Sequence, residues 1–388
     1  MTQLLAAEVQ EFIRQHEQDD VSRLALGKNP FPNLSYPEIL NQIAARQKAR
    51  NKLPTWHGAK GVLFPTPVSV EQTSSEAAAR YKASLVSGHL IDLTGGFGVD
   101  SFYFSKSCRR VTHCEVNKDL HAIALHNFKV LGADNTTFVN DDGNQVLKST
   151  TESFSWIYVD PSRRHDLKGK VFQLSDCTPD AAEWISLWLE KAPNVMIKTA
   201  PMLDLSAGLS QLEHIREIHI VALKGEVREL LWIANRGYDG TVQLKAVDVS
   251  TGKTFTTPFG SSPEARFSQP QRFLYEPGPQ LLKTGAFADI GNQYGLYKLH
   301  PLSHLYTLDD LVDFPGRVFE ITSVLPYSKP AMKPLSGQAM NVSVRHFPES
   351  VEAIRKRYKI KDGGHRYAFF TTATDDKKIV LLCKKIDA

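Results

Sequence analysis

The chain is poor in cysteine: four in 388 residues (Cys108, Cys114, Cys177, Cys383), none in a Cys-x-x-Cys pair. That argues against a disulfide framework or a zinc module and for reduced, mostly buried thiols. The 13 histidines are scattered without ligand-like spacing, so no metal site is expected. No run of about 18 apolar residues is present, as a membrane-spanning helix would need. The opening Met-Thr-Gln-Leu-Leu-Ala-Ala-Glu has neither a cationic start nor a secretory cleavage pattern, which makes the cytoplasm the default location. Net charge is only +4, so any contact with nucleic acid must be local. Tandem repeats and low-complexity tracts are absent. What remains is ordinary: 42% hydrophobic and 23% charged residues, in a length that suits two or three domains with a sizeable core.

The informative stretch runs from Gly88 to Glu115. A short apolar strand, His89–Leu93, enters the glycine-rich turn Thr94-Gly-Gly-Phe-Gly98, then a helix, then a second strand ending on an acid. This is the order of a nucleotide-binding βαβ unit. Gly95, Gly96 and Gly98 would let backbone approach a ligand where a Cβ would collide. Glu115 lies 20 residues after Gly95, where such folds bond ribose hydroxyls. An ordinary glycine-rich turn with a surface glutamate is the bland alternative. The dinucleotide pattern G-x-G-x-x-G fits weakly, because Ser101 stands at its third glycine.

The better fit is an acid followed by small residues at alternate positions: Asp92, then Thr94, Gly96 and Gly98. It resembles motif I of the class I S-adenosylmethionine (SAM)-dependent methyltransferases. Thr94 in place of the usual first glycine resembles the trimethylguanosine-synthase-like branch. The resemblance implies a seven-stranded Rossmann-like sheet, with the turn around the methionine part of SAM and Glu115 on its ribose. Thr136–Gly143 reads as strand three, and the resemblance implies that Asp142, with Asp141 as fallback, meets the adenine amino group. A plain loop after a strand explains those acids as well. Phe154–Asp160-Pro161-Ser162-Arg163-Arg164 reads as strand four, with a tip similar to motif IV, the Asp/Asn-Pro-Pro-aromatic loop facing the methyl group. Strands at Val195–Thr199, Ile218–Leu223 and Leu230–Ile233 complete the set, the last two as the reversed hairpin that a plain Rossmann oxidoreductase lacks.

Three regions are expected: helical residues 1–65, a methyltransferase domain over 66–258, and an α+β ferredoxin-like, THUMP-like domain over 264–388. Thr2–His16, Asp19–Leu26 and Tyr36–Lys52 read as helices, and a further helix starts at a Ser74/Ser75 cap before the sheet. Gln72, Thr73 and Ser74 are candidate contacts for the SAM carboxylate, with simple capping an equal explanation. Tyr275-Glu-Pro-Gly-Pro, Lys298-Leu-His-Pro-Leu-Ser-His-Leu-Tyr306, Asp362-Gly-Gly and Asp160-Pro-Ser-Arg-Arg resemble a bacterial methyltransferase group with a THUMP-like appendage. This C-terminal region is expected to have one sheet face covered by helices. The resemblance implies an RNA substrate.

Arg345, Arg355, Lys356, Arg357 and Arg366 are the candidate phosphate contacts, with Phe347, Tyr358 and Tyr367 available to stack bases. A solvated helix face over core aromatics is the competing reading. At the reaction site the candidates are Asp160, Pro161, Ser162 and Arg163. Ser162-Arg163-Arg164 lacks the stacking aromatic of motif IV; the arginines could clamp a phosphate or pair with Asp166. Cys177 lacks the Pro-Cys context of a pyrimidine-methylating nucleophile, and His165 reads better as a surface residue than as a base. Three functions stay open: an RNA methyltransferase, an RNA-binding protein with an inactive methyltransferase fold, and a small-molecule or protein methyltransferase with a dimerising C-terminal region.

Overall fold

The computed structural model describes residues 2–163 and 173–386, with the backbone alone for Thr2 and Arg163. It divides into two compact units: Met1–Arg216 with Leu230–Gly240, and Glu217–Glu229 with Thr241–Ala388. Among the described residues no helix is long and apolar enough to cross a membrane.

The first unit opens with helices at Ala7–Gln15, Val21–Leu24, Tyr36–Lys52 and Pro54–Gly58, the first and third sharing a core of Val9, Ile13, Ile39, Leu40 and Ile43. Its sheet has five parallel strands: β1 (His89–Asp92), β2 (Arg110–Cys114), β3 (Thr136–Val139), β4 (Trp156–Val159) and β5 (Asn194–Thr199). They alternate with helices at Val99–Ser107, Lys118–Val130, Gly143–Ser149 and Ala181–Lys191. The next two strands, β6 (Ile215–Leu223) and β7 (Glu226–Asn235), form a hairpin around Lys224-Gly225, both with positive φ as a tight two-residue turn requires. The Leu230–Asn235 part of β7 lies antiparallel to β5. The hydrogen-bonded order is β3-β2-β1-β4-β5-β7, with the reversed strand where the sequence places it.

Strands covered on both faces read as continuous apolar runs, and Leu90, Ile91, Ile157, Tyr158, Val159, Val195, Met196 and Ile197 are all buried. Strand order reverses between β1 and β4, where a crevice opens at the carboxyl ends of the strands. The helix before the sheet is split into Pro67–Gln72 and Glu76–Ala83, with Ser75 capping the second through the Ala78 amide.

In the second unit, Glu217–Leu223 of β6 pairs in parallel with β8 (Gln243–Asp248), which pairs with β9 (Thr254–Pro258). A separate seven-stranded sheet follows: β10 (Phe273–Pro277), β11 (Tyr297–Lys298), β12 (Tyr306–Leu308), β13 (Gly316–Pro326), β14 (Asn341–Arg345), β15 (Arg366–Thr372) and β16 (Lys378–Ile386). Their order is β11-β12-β10-β13-β16-β15-β14, antiparallel except for β14 against β15. Both faces are covered. Ala368, Phe370, Val380 and Leu382 pack with Ile354 of the helix Val351–Tyr358, while Phe369, Leu381 and Cys383 pack with Leu299 and Leu305. Thus a helix covers one face and the Lys298–Tyr306 segment covers part of the other. Between β10 and β11 the helices Pro279–Thr284 and Phe287–Gln293 are separated at Gly285, which takes the left-handed backbone common just past a helix end.

Gly208 in the helix Leu205–Leu209 provides a test of packing. A Cβ there would lie 2.2 Å from the buried Trp232 ring, whose Nε1 donates to Thr199 Oγ1 at 2.9 Å. Helix propensity alone favours alanine over glycine by about 1 kcal/mol. Overpacking opposes it at about 1–3 kcal/mol. Gly208→Ala should therefore lower the urea midpoint without changing the slope; a higher midpoint would show that propensity wins.

Candidate active site

A cleft of about 590 Å³ opens at the carboxyl ends of β1, β2 and β4. Asp92, Thr94, Gly95, Gly96, Gly98, Glu115, Asp142, Asp160 and Ser162 all line it, as do Gln72, Thr73 and Ser74. Pro161 and Asp141 are outside the lining. Arg164, His165 and Asp166 lie outside the described residues.

Each acid has a structural task as well. Asp92, at the end of β1, accepts from the Thr94 amide at 3.0 Å and the Ser101 hydroxyl at 2.6 Å. Glu115 follows β2; one oxygen accepts from the Gly96 amide at 2.8 Å and the other from the Asn117 amide at 2.7 Å. Its carboxylate is thereby fixed beside the turn, with lone pairs to spare. Asp142 caps the helix Gly143–Ser149 through the Asn144 and Gln145 amides. The turn glycines are required by the protein itself. A Cβ at Gly95 would sit 2.1 Å from the His113 ring, and Gly98 combines φ +91° with the Phe128 ring 2.8 Å from its missing Cβ. Close approach is indeed the reason for glycine at these two positions, though the collision is with side chains of β2 and its following helix.

Sequence reasoning missed a second layer. Lys82, wholly buried, lies 3.1 Å from Asp100 and donates to Ser74 Oγ at 2.6 Å. Asp100 also accepts from Tyr158 at 2.7 Å and Ser74 at 2.8 Å. Lys198 of β5 meets Asp160 at 2.5 Å. The one available signal was a charged residue inside an otherwise apolar strand, Val-Met-Ile-Lys198-Thr. Thr178, Pro179, Asp180, Glu183 and Trp184 complete the far wall of the cleft. They arrive through a short bridge of Ser162-Arg163 to Cys177-Thr178 and the helix after it, a pairing the sequence does not announce. Cys177 itself is buried.

Seven carboxylates line the cleft (Asp92, Asp100, Glu115, Asp142, Asp160, Asp180, Glu183), and among the described residues no Lys, Arg or His does. Burial pushes the Asp92 carboxyl up to about 7, helped by the charges of Asp100 and Asp160 and opposed by the bonds from Ser101 and Thr94. Burial would raise Asp100 too, but the Lys82 ammonium, then Lys198, Tyr158 and Ser74 hold it below its ordinary value. Burial drives His113 down to about 3, so it packs as a neutral ring.

Four of the five candidate phosphate contacts of the second unit already hold partners. Arg345 bonds Glu276 at 2.6 Å, Arg355 bonds Asp362 at 2.5 Å, Arg357 bonds Glu349 at 2.7 Å and Arg366 bonds Gln338 at 2.6 Å. Lys356 is exposed. Phe347 and Tyr358 pack against the core around Ile354, and Tyr367 against that around Phe319. Among the described residues no cluster could hold a metal ion.

Asp92 carries a pH signature. Its folded value near 7 exceeds the ordinary 3.8, so its contribution to stability is full below about pH 4 and is lost as pH rises through 7. Asp92→Asn removes that loss. Thermal melts should show the melting temperature of the variant gaining on that of the wild type from pH 4 to 7 and levelling above, at about 2–4 °C per kcal/mol. A gap independent of pH would place an ionised Asp92 in the fold throughout.

Residues 316–385 match a family described as THUMP domain-like, and residues 273–315 match one described as a ferredoxin-like domain. No curated protein matches the chain significantly. Among solved structures, a protein from Porphyromonas gingivalis W83, provisionally designated a methyltransferase, is 31% identical. The match covers 100% of this chain and 99% of that one, with a TM-score of 0.87. An rRNA methylase from Streptococcus thermophilus is 14% identical over 41% of this chain and 93% of its own, with a TM-score of 0.31. TrmK of M. capricolum, crystallised with S-adenosyl-homocysteine (SAH), is 14% identical over 42% of this chain and 68% of its own, also with a TM-score of 0.31. On the end-to-end likeness to the P. gingivalis protein, with the two C-terminal matches, the chain belongs to the class I SAM-dependent methyltransferases of the bacterial group that carries a C-terminal THUMP-like domain.

Proposed function

We propose that the chain transfers a methyl group from SAM to a base in RNA, with its C-terminal domain (residues 264–388) assisting RNA binding. The observation that carries the reading is the cleft's charge. A pyrophosphate cofactor would meet seven carboxylates and, among the described residues, no basic side chain. A sulfonium cation with an adjacent ammonium group suits that lining. In this reading Glu115 meets the ribose hydroxyls, Asp142 the adenine amino group and the Thr94–Gly98 turn the methionine part; all of them line the one cleft. SAM supplies an electrophilic methyl group on a positively charged sulfur.

The chain's own work is alignment. Methyl transfer is an in-line displacement, so orientation and exclusion of alternatives supply much of the rate. Asp160, with Pro161 and Ser162 of its loop, meets the acceptor through the carboxylate oxygen that Lys198 leaves open, which accepts a hydrogen bond and so selects an acceptor bearing N–H or O–H. Arg163 belongs to this loop in the same reading. The membership of a group with a THUMP-like domain supports RNA as the acceptor. Arg345, Arg355, Lys356, Arg357 and Arg366 remain the proposed phosphate contacts, and the pairs that now hold four of them would have to exchange for phosphate. A second reading, an RNA-binding protein that keeps the donor without transferring methyl, is favoured by the absence of an aromatic after Pro161.

Calorimetric titration should give SAH binding by the wild type and at least a tenfold loss in Glu115→Ala, about 1.4 kcal/mol. Equal affinities would remove Glu115 from the donor site. Tritiated SAM incubated with total RNA from cells lacking the protein should label RNA with the wild type. Asp160→Asn should label it about a hundredfold more slowly at unchanged SAH affinity. SAH binding by the wild type without any label in RNA selects the second reading.

A further inference from the structure

We propose that Lys198 and Thr94 are positioning residues that clamp Asp160, Lys198 by its carboxylate and Thr94 by its backbone, in the orientation from which it meets the methyl acceptor. This rests on the methyltransferase reading of Asp160. The clamp is built by strand register. β4 and β5 pair in parallel with Val159 opposite Ile197, which sets Asp160 beside Lys198 where the strands end. Lys198 Nζ bonds Asp160 Oδ2 at 2.5 Å, leaving Oδ1 as the oxygen for the cleft that Asp160 lines. Thr94 Oγ1 accepts from the Asp160 amide at 2.7 Å. This is a physical reason for threonine where the motif usually has glycine: its hydroxyl ties the turn after β1 to the tip of β4.

The pair is unlike a surface salt bridge. The Lys198 side chain is 12% exposed and that of Asp160 34%. Lys198 also acts electrostatically on buried Asp100, which carries Lys82 on its other side. Two ammonium groups are thus set among Asp92, Asp100 and Asp160. A largely enclosed lysine of this kind is weakly explained by stability, because an apolar residue of similar size in place of an enclosed ion pair is often neutral or better. An orienting task explains it: an unclamped aspartate at a strand tip samples several rotamers, and misplacing a reacting partner by about 1 Å costs about a hundredfold in rate.

The test uses the full chain, tritiated SAM and total RNA from cells lacking the protein. Lys198→Met should fold, bind SAH within about threefold of the wild type, and lose about a hundredfold in turnover at saturating SAM. Lys198→Arg should recover most of that loss. Thr94→Val should lose turnover by about tenfold or more beyond any change in its SAH affinity, and Thr94→Ser should recover part of that loss; a loss matched by that in SAH affinity removes Thr94 from the clamp. Wild-type turnover in Lys198→Met, or parallel losses of turnover and SAH affinity, overturns the proposal. If wild type and Asp160→Asn alike leave RNA unlabelled, the RNA-methylation reading has failed separately, and crystals with SAH decide the clamp. Asp160 should then lie against Lys198 in the wild type and swing away in Lys198→Met with β4 unmoved. An Asp160 side chain that stays in place without Lys198 overturns the clamp on its own.

Discussion

Charge balance at the carboxyl ends of β1, β4 and β5 is the constraint on which the site depends. Asp92, Asp100 and Asp160 converge there, and each burdens or relieves its neighbours: Asp100 and Asp160 help raise Asp92, while Lys82 and Lys198 hold Asp100 down. Breaking one side of a buried pair typically costs about 3–5 kcal/mol, since the remaining charge is left uncompensated. That cost applies to the buried Lys82–Asp100 pair, while the more open Lys198–Asp160 pair adds to the balance from the edge of the cleft. Helices and strands deliver the members of this balance from five places in the chain: Lys82, Asp92, Asp100, Asp160 and Lys198.

The same set shapes the cleft. Inside it, acids face the opening while the lysines that balance them are withheld from the lining. Among the described residues such a lining offers a negative surface without the full cost of unpaired buried carboxylates. It is suited to a cation carrying a ribose and an adenine, and it disfavours the phosphates of a dinucleotide. Membership of the methyltransferase family and the electrostatics of the cleft thus point to the same donor from independent directions. The C-terminal sheet contributes differently: its arginines are tied to Glu276, Glu349 and Asp362, so its contribution to RNA binding would depend on exchange of partners and on the remaining exposed charge.

Much of the first unit was legible because β1, β4 and β5 are buried and read as apolar runs, and an acid stands at or after the end of each of the first four strands. Asp92 ends β1, Glu115, Asp142 and Asp160 follow β2, β3 and β4, and the structure gathers all four at one cleft. The reason for Gly95 and Gly98 was half legible: conformation and close approach could be read, but not that His113 and Phe128 would be the neighbours. The clamp on Asp160 was hidden, because Lys198 meets it through strand register across 38 residues. In the second unit, β10 (Phe-Leu-Tyr-Glu-Pro277) shows no alternation, since all five residues are buried and its one carboxylate is paired with Arg317 and Arg345. β11 and β12 are kept short by Pro301 between them, which has no amide to donate, and by His304 with its left-handed backbone. Candidate RNA contacts were chosen by charge clustering, which cannot see that Asp362 and Glu349 return to meet the same arginines.

If this cleft selects a sulfonium nucleoside by charge, titrating the intact protein with SAM and, separately, with NAD at the same salt concentration will distinguish the two ligands. SAM should bind in the micromolar range and weaken with added salt, and NAD should not bind at millimolar concentration. NAD binding as tightly as SAM would show that charge does not choose the ligand.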